Sequence, residues 1–431
     1  MHQRSVHLPP SQEKGSLRHR LFETRRRSLE LAAPLTPEDM TVQVMDDASP
    51  AKWHLAHVTW FFETFILAKY LPGYRLFDAA FNYCFNSYYE SQGLRQPRPK
   101  RGVLSRPSSE RVFAYRRHVD AALAELFAAG LQRDGEVERV IEVGINHEQQ
   151  HQELLLTDIL ALFAANPLRP AYRPRQRRGR ERPSGSGDLG WIDFAGGIHE
   201  IGQDGGRFAW DNETPRHKVL IHPFRLADRL VTNGEWLEFM CDGGYATASL
   251  WLADGWSTVN RDGWRAPLYW ERRDGAWCAM SLEGVQPVEP AAPVHHVSYY
   301  EADAFARWAG KRLPLESEWE VAAEAMPAVG EPLPTGALRP PATSSPPDGH
   351  PRQMFGHAWQ WTQSAYLPYP RYRPLAGALG EYNGKFMVGQ QVLRGSSCLT
   401  PHGHSRTTYR NFFYPHQRWQ VMGLRLASEL V

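Results

Sequence analysis

Between residues 17 and 165 apolar side chains recur at three- and four-residue intervals over long runs, and beyond residue 190 they do so only in short stretches. This change of period constrains the fold more than any other feature. A 3.6-residue stripe belongs to an amphipathic helix, whereas the faces of a strand alternate every two residues. Leu17–Ala32 is charged, with Leu21, Leu29 and Leu31 spaced along it. Ser49-Pro50 opens a second segment, where the missing proline N–H costs nothing. Its face carries Trp53, His57, Trp60, Phe61, Thr64, Phe65 and Ala68. A third segment, about Glu110–Ala129, places Val112, Tyr115, Val119, Leu123 and Leu126 on one stripe before Gly130. A fourth, about Glu136–Ala165, ends at Asn166-Pro167. Successive amphipathic helices of this kind predict a four-helix bundle, whose sites project inward between facing helices.

The run YRPRQRRGRERPSGSGDLG within Arg169–Gly190 reads as an interdomain linker. Its basic charge is not a property of the whole chain. Lys plus Arg number 49 against 47 Asp plus Glu, a net +2, which argues against a dedicated nucleic-acid binder. From Trp191 onward short β-type runs (Lys218–Ile221, Gln391–Arg394, Gly423–Ala427) alternate with Gly- and Pro-rich turns. Helical stretches interrupt them at Asn233–Asp242 and at Ser298–Gly310, the latter continuing into Glu316–Ala325. The expected organisation is a bundle over 1–168, a linker over 169–190 and an irregular α+β domain over 191–431. Pro327–Pro351, low in complexity, reads as a surface excursion. Four distant cysteines without a CxxC pair exclude a disulfide framework and a cysteine-rich zinc module. The apolar stretch Leu154–Ala165 carries Asp158 and is too short to span a bilayer. The N-terminus has no apolar segment of the signal-peptide kind, so a soluble cytoplasmic protein with no membrane partner is expected.

The sharpest local signal is His147-Glu148-Gln149-Gln150-His151. Histidines at i and i+4 lie about 40° apart around a helix, so both imidazoles can reach one ion. HExxH is formally present, and in a zinc protease its Glu would be a general base. Glu153 falls roughly 120° away from His147 and suits a structural or outer role better than a ligand's. The second helix offers His54 and His57. His57 shares the apolar stripe and faces the bundle interior, whereas His54 is about 60° off it. Three neutral imidazoles suit zinc, iron, nickel or copper, and spacing does not choose among them. Two further clusters could line a pocket or simply pack. Asn86-Ser87-Tyr88-Tyr89-Glu90 precedes Arg95, Arg98, Arg101 and Arg106, pairing phenols with possible carboxylate clamps. Tyr409-Arg410-Asn411-Phe412-Phe413-Tyr414 concentrates aromatic faces that suit a quaternary ammonium or, equally, a core strand.

From about Arg18 to the C-terminus the chain resembles the sulfoxide synthases of ergothioneine biosynthesis, the EgtB family of non-haem iron enzymes. The resemblance rests on SPAKWHLAHVTWFFETF and HEQQHQE, as in a DinB-like four-helix bundle. It continues in FAWDNETPRHKV, LVTNGEWLEFMCDGGY, VSYYEADAFARWAGKRLPLESEWEVAA, HAWQWTQS and VLRGSSC…RNFF…GLRLA. These are similar to the formylglycine-generating-enzyme (sulfatase-modifying-factor) domain, a C-type-lectin-like fold. The resemblance implies Fe(II) held by His57, His147 and His151, with O2 as co-substrate. It implies Nα-trimethylhistidine contacting Gln150, Asn411, Phe412 and Phe413, and a thiol partner, cysteine in preference to γ-glutamylcysteine. Tyr88-Tyr89 matches the subgroup whose donor tyrosines lie in the bundle, making either one the expected catalytic donor. Arg98 and Arg101, by position, are the expected contacts of the thiol's carboxylate. Cys398 has Gly403 five residues on instead of a second cysteine, so formylglycine chemistry is not expected. The competing readings are an ovothiol-type synthase acting on histidine, a DinB-like thiol-dependent metal transferase, and a non-catalytic lectin-like binding module.

Overall fold

Ser16 Oγ accepts the His19 N–H at 3.2 Å and starts α1, Leu17–Ala32. The structure, a computed structural model, describes residues 15–174, 187–324, 326, 338–342 and 349–430. The chain divides into two units, Met1–Leu162 and Phe163–Val431. Residues 175–186 of the basic stretch, and 327–337 and 343–348 of the low-complexity stretch, lie outside the described residues.

In the first unit α2, Ala51–Phe62, is buried along its whole length, including Lys52 and His54. The sequence stripe marks only one face of it, because the other faces are also covered, the helix Ser109–Ala128 among their neighbours. A π-helical turn, Glu63–Leu67, and a last turn, Ala68–Tyr70, extend α2. Buried Glu63 anchors that turn by accepting hydrogen bonds from the hydroxyls of Tyr74 at 2.7 Å and Tyr115 at 2.6 Å. A short helix α3, Phe81–Phe85, precedes α4, Ser109–Ala128, which Ser108 caps. Helix α5 runs Gly135–Ala165. It approaches α2 closely at Gly144, where a Cβ would meet Phe62 Cε1 at 2.6 Å.

One buried cluster ties α1, α2, α4 and α5 together. Glu148 Oε2 pairs with Arg25 Nη1 at 3.1 Å, and Glu148 Oε1 pairs with Arg116 and accepts the Ser28 hydroxyl at 2.6 Å. Arg116 also donates to Thr59 Oγ1 on α2 at 3.3 Å. Burial alone would push the Glu148 carboxyl up, but Arg116 and Arg25 outweigh it and hold it below its usual range. Desolvation offsets much of what such buried charges gain from each other. The cluster's clearest effect is therefore on the rotation of each helix about its axis.

The second unit is built from small sheets. Strands β1 (Trp191–Phe194), β4 (Phe224–Ala227) and β12 (Ala427–Glu429) form one, in the order β1-β4-β12. Strands β2 (Gly197–Ile201) and β3 (His217–Ile221) pair, as do β5 (Trp270–Arg273), β6 (Ala276–Ser281) and β7 (Gly284–Pro287). The fourth has the order β10-β9-β8-β11, from Asn411–Phe413, Gln391–Arg394, Trp359–Ala365 and Met422–Gly423. Helices α6 (Asn233–Cys241), α7 (Ala253–Asp262), α8 (Tyr299–Trp308) and α9 (Glu316–Ala323) complete the unit. Capping boxes start α6 at Thr232/Glu235 and α8 at Ser298/Glu301.

The expected strand Gly423–Ala427 is instead divided between two sheets. Gly423 ends β11, beside β8, and Ala427 begins β12, beside β4. Between them buried Arg425 donates to Gln360 Oε1 of β8 at 3.0 Å and to the Ala227 carbonyl of β4 at 2.7 Å. A continuous ladder would leave that guanidinium without these acceptors. No helix among the described residues is long and apolar enough to cross a membrane.

Candidate metal centre

His57 is held before any ligand arrives. Its ring lies between two indoles of its own helix, Trp53 at 4.6 Å and Trp60 at 5.7 Å, with interplanar angles of 14° and 15°. The spacing W-x3-H-x2-W produces this, because residues three and four apart stack along one helix face. His57 Nδ1–H donates to the Phe85 carbonyl at 2.6 Å, which leaves the Nε2 lone pair pointing inward. From α5, His147 brings its Nε2 to 3.1 Å from His57 Nε2. His151 follows one turn later. Among the described residues these three side chains place one ligand nitrogen each within 4.8 Å of one another. Glu153 is not one of the set.

All three rings are kept neutral. Burial is the main cause: it lowers His147 to about 3, and it lowers His57 and His151 well below the usual imidazole range, with charge on neighbouring histidines adding to it. Neutral imidazoles are the form that binds a metal, so the donor set fits a borderline divalent ion such as iron(II) or zinc. His147 and His57 are fully buried, whereas His151 is half-buried and marks the accessible side. Glu148, the formal HExxH glutamate, has both carboxylate oxygens engaged by Arg25, Arg116 and Ser28. The zinc-protease reading of HExxH therefore fails on geometry.

The tyrosine pair sits on a loop pinned by buried Asn86, whose Oδ1 accepts the Tyr89 N–H at 3.1 Å and whose Nδ2 donates to the Tyr89 carbonyl at 2.9 Å. Tyr89 is fully buried against Phe65 at 5.0 Å and Trp60 at 5.7 Å. Tyr88 is half-buried and stacks obliquely on Tyr89 at 4.8 Å. Arg101 is buried, its guanidinium 3.4 Å from the centre of the Trp53 ring, on the helix that carries His57. It donates to Ser49 Oγ and Ser87 Oγ, both at 2.9 Å, and among the described residues it makes no ion pair with a carboxylate. Burial, and then the charge of Arg98, push this guanidinium well down from its ordinary value. Arg98 itself is exposed. Gln150 is half-buried on α5, next to His151.

In the second unit Asn411, Phe412 and Phe413 form β10, all half-buried, paired with Leu393, Val392 and Gln391. Successive strand residues face opposite sides, so the two rings do not share partners. Phe412 stacks on Tyr366 at 4.0 Å, whereas Phe413 meets Trp419 edge-on at 5.6 Å. Arg410, just before the strand, is locked to Glu316 by two hydrogen bonds of 2.8 and 2.9 Å. Neither Cys398 nor any of the other three cysteines is in a disulfide.

Two residues outside the expected ligand set touch the triad's outer edge. His54 Nδ1 lies 2.8 Å from His151 Nδ1, and His54 Nε2 lies 3.0 Å from Asp158 Oδ2. Asp158 stands seven residues after His151, two turns along the same helix face, and this spacing is the one signal of the pair in the sequence.

Residues 20–155 match the DinB superfamily, and residues 190–344 and 334–430 match the sulfatase-modifying factor enzyme 1-like domain. The chain is 33% identical to the hercynine oxygenase of Mycobacterium tuberculosis, over 95% of this chain and 98% of that protein. It is 31% identical to the hercynine oxygenase of Mycolicibacterium thermoresistibile, over 97% and 95%. Ergothioneine biosynthesis protein 1 of Schizosaccharomyces pombe is 27% identical over 51% of this chain and 28% of that protein. A DinB-type bundle carrying the triad, joined to that second domain and similar end to end to hercynine oxygenases, places the chain in the EgtB family of ergothioneine-biosynthesis sulfoxide synthases, which makes it an oxygen-using oxidoreductase.

Proposed function

We propose that the chain couples a thiol, cysteine in preference to γ-glutamylcysteine, to C2 of Nα-trimethylhistidine and oxidises the joined sulfur to the sulfoxide. The observation that carries this reading is the cluster of His57, His147 and His151, three neutral imidazoles within 4.8 Å in a chain similar to hercynine oxygenases. The reaction closes without an outside reductant. The imidazole C2–H and the thiol S–H are lost, one oxygen atom of O2 enters the sulfoxide and the other leaves as water. Iron(II), when bound by the triad, would supply the redox chemistry that engages O2. Holding both organic substrates in one orientation removes most of the entropy cost of a many-body encounter.

The remaining roles fall to side chains of this chain. Gln150, Asn411, Phe412 and Phe413 are the proposed contacts of trimethylhistidine, with one of the two rings, which face opposite sides of β10, attracting its trimethylammonium. Arg98 and Arg101 are proposed for the thiol substrate's carboxylate. Arg101 brings a buried cation that makes no ion pair with a protein carboxylate among the described residues, and Arg98 an accessible one. Tyr88 or Tyr89 is the proposed donor of a proton or hydrogen atom.

The test is product identity. Protein loaded with iron(II) without oxygen, then exposed to air with trimethylhistidine and cysteine, should give a C2-linked sulfoxide by mass and fragmentation. γ-Glutamylcysteine should give less product. A C5-linked product formed preferentially from histidine would point to the ovothiol-type reaction instead, and absence of any C–S product would refute the synthase reading.

The ammonium contact has its own expected result. Because Phe412 and Phe413 face opposite sides of β10, each is tested alone. Loss of a desolvated cation–π contact costs about 2 kcal/mol, roughly thirtyfold in affinity. Phe412→Leu or Phe413→Leu should therefore weaken trimethylhistidine far more than histidine in calorimetry. Equal losses for both ligands would remove these rings from ammonium recognition.

A further inference from the structure

We propose that His54 and Asp158 form a hydrogen-bonded chain behind His151 that decides which of its nitrogens faces the metal, making both of them positioning residues of the centre. This rests on the reading of His57, His147 and His151 as ligands, and it concerns residues that the sequence motif does not single out.

Hydrogen counting sets the direction of the chain. Asp158 Oδ2 lies 3.0 Å from His54 Nε2 and also accepts the Ser49 N–H at 2.8 Å. A carboxylate oxygen only accepts, so the His54 proton sits on Nε2. In the proposed chain Asp158 carries the charge and His54 carries one N–H, so His54 Nδ1 is an acceptor. That nitrogen lies 2.8 Å from His151 Nδ1, a separation that requires a hydrogen between them. The hydrogen then belongs to His151 Nδ1, and His151 Nε2 keeps its lone pair for a metal. His57 reaches the same tautomer by another route, through its Nδ1–H to the Phe85 carbonyl.

Burial makes the chain decisive. His54 is 3% exposed and Asp158 6%, so water does not compete for these bonds. The placement is economical as well. One turn of α2 carries both a ligand, His57, and the residue that orients another ligand, His54. Asp158 reaches His54 from the helix that holds His151, so the chain also links α2 to α5. Outer partners of this kind orient metal-bound histidines and raise their basicity, and their loss typically costs about 10–100-fold in metal affinity.

The direct test needs no variant. In the wild-type full chain labelled with ¹⁵N-histidine and loaded with Zn(II) as a diamagnetic probe, long-range ¹H–¹⁵N correlations report each tautomer. The expected pattern is a proton on Nε2 of His54 and on Nδ1 of His151. A proton on His54 Nδ1, or a metal on His151 Nδ1, overturns the proposal. In addition, His54→Phe and Asp158→Leu should bind Zn(II) and Co(II) about 10–100-fold more weakly in chelator competition. Asp158→Asn, which keeps an oxygen acceptor, should retain most of the affinity, a rescue that a purely structural role does not predict. Wild-type affinity in both His54→Phe and Asp158→Leu overturns the proposal. Failure of the wild type to bind either metal overturns the ligand assignment beneath it, so the two failures are distinct. If the variants do not fold, the wild-type tautomers decide the matter alone.

Discussion

Alanine at His57, His147 or His151 is expected to strip the metal from the protein, with a loss larger than the roughly 10–100-fold that removal of an outer partner produces. Each ring is one of the three proposed donors, and no carboxylate among the described residues joins the group to replace a missing one. Iron analysis after anaerobic loading and desalting reads the result, with circular dichroism confirming the helices. The informative comparison is Glu153→Ala. Glu153 follows His151 by two residues on α5 and is buried, yet it lies outside the clustered ligands. It should retain close to one metal per chain. Metal loss in folded Glu153→Ala as complete as in His151→Ala would refute a three-histidine centre. His57→Ala carries an extra penalty, because it also empties the space between Trp53 and Trp60.

Local periodicity made the bundle legible. Leu17–Ala32 is the helix its spacing foretold, and the fourth segment starts one residue earlier than its pattern suggested, at Gly135. The choice of His57 over His54 for the interior also came from helical angle alone, and the structure clusters His57 with His147 and His151. What stayed hidden depends on partners distant in sequence. Helix α2 reads as one-faced, because nothing local reveals that its Lys52 and His54 side is covered too. His54 looked peripheral for the same reason. Its value comes from Asp158, more than a hundred residues away, closing on it from α5. The division of residues 423–427 between two sheets is likewise a matter of where Arg425 finds acceptors, on Gln360 and Ala227. Phe412 and Phe413 read as a matched pair in the sequence, but strand alternation gives them separate neighbours.

Loss of the Tyr88 hydroxyl is expected to leave metal content and substrate affinity near wild type while lowering sulfoxide turnover about 10²–10⁴-fold, the usual contribution of a general acid. A donor that acts only as oxygen is reduced belongs to the transition state, so its removal appears in kcat and not in ground-state binding. The structure separates the two adjacent phenols. Tyr89 is fully buried among Trp60, Phe65 and Tyr88, where its ring serves packing that Tyr89→Phe would preserve. Tyr88 is half-buried and directly follows Ser87, whose hydroxyl accepts from Arg101 at 2.9 Å, beside the proposed thiol contacts. Tyr88→Phe should therefore show the larger fall. It should also divert the thiol toward sulfinic acid, a reaction in which both atoms of O2 enter one product and no C–S bond forms. The ratio of sulfinic acid to sulfoxide in Tyr88→Phe and Tyr89→Phe, measured with metal content and trimethylhistidine affinity, decides between the two. Near wild-type sulfoxide turnover in both variants would place the donor elsewhere. Of the tyrosines in the second unit, Tyr366 accepts from Asn212 at 2.9 Å and Tyr372 donates to Asp211 at 3.1 Å. Tyr366 would then be the stronger alternative, because it stacks on Phe412, itself a proposed contact of the ammonium substrate.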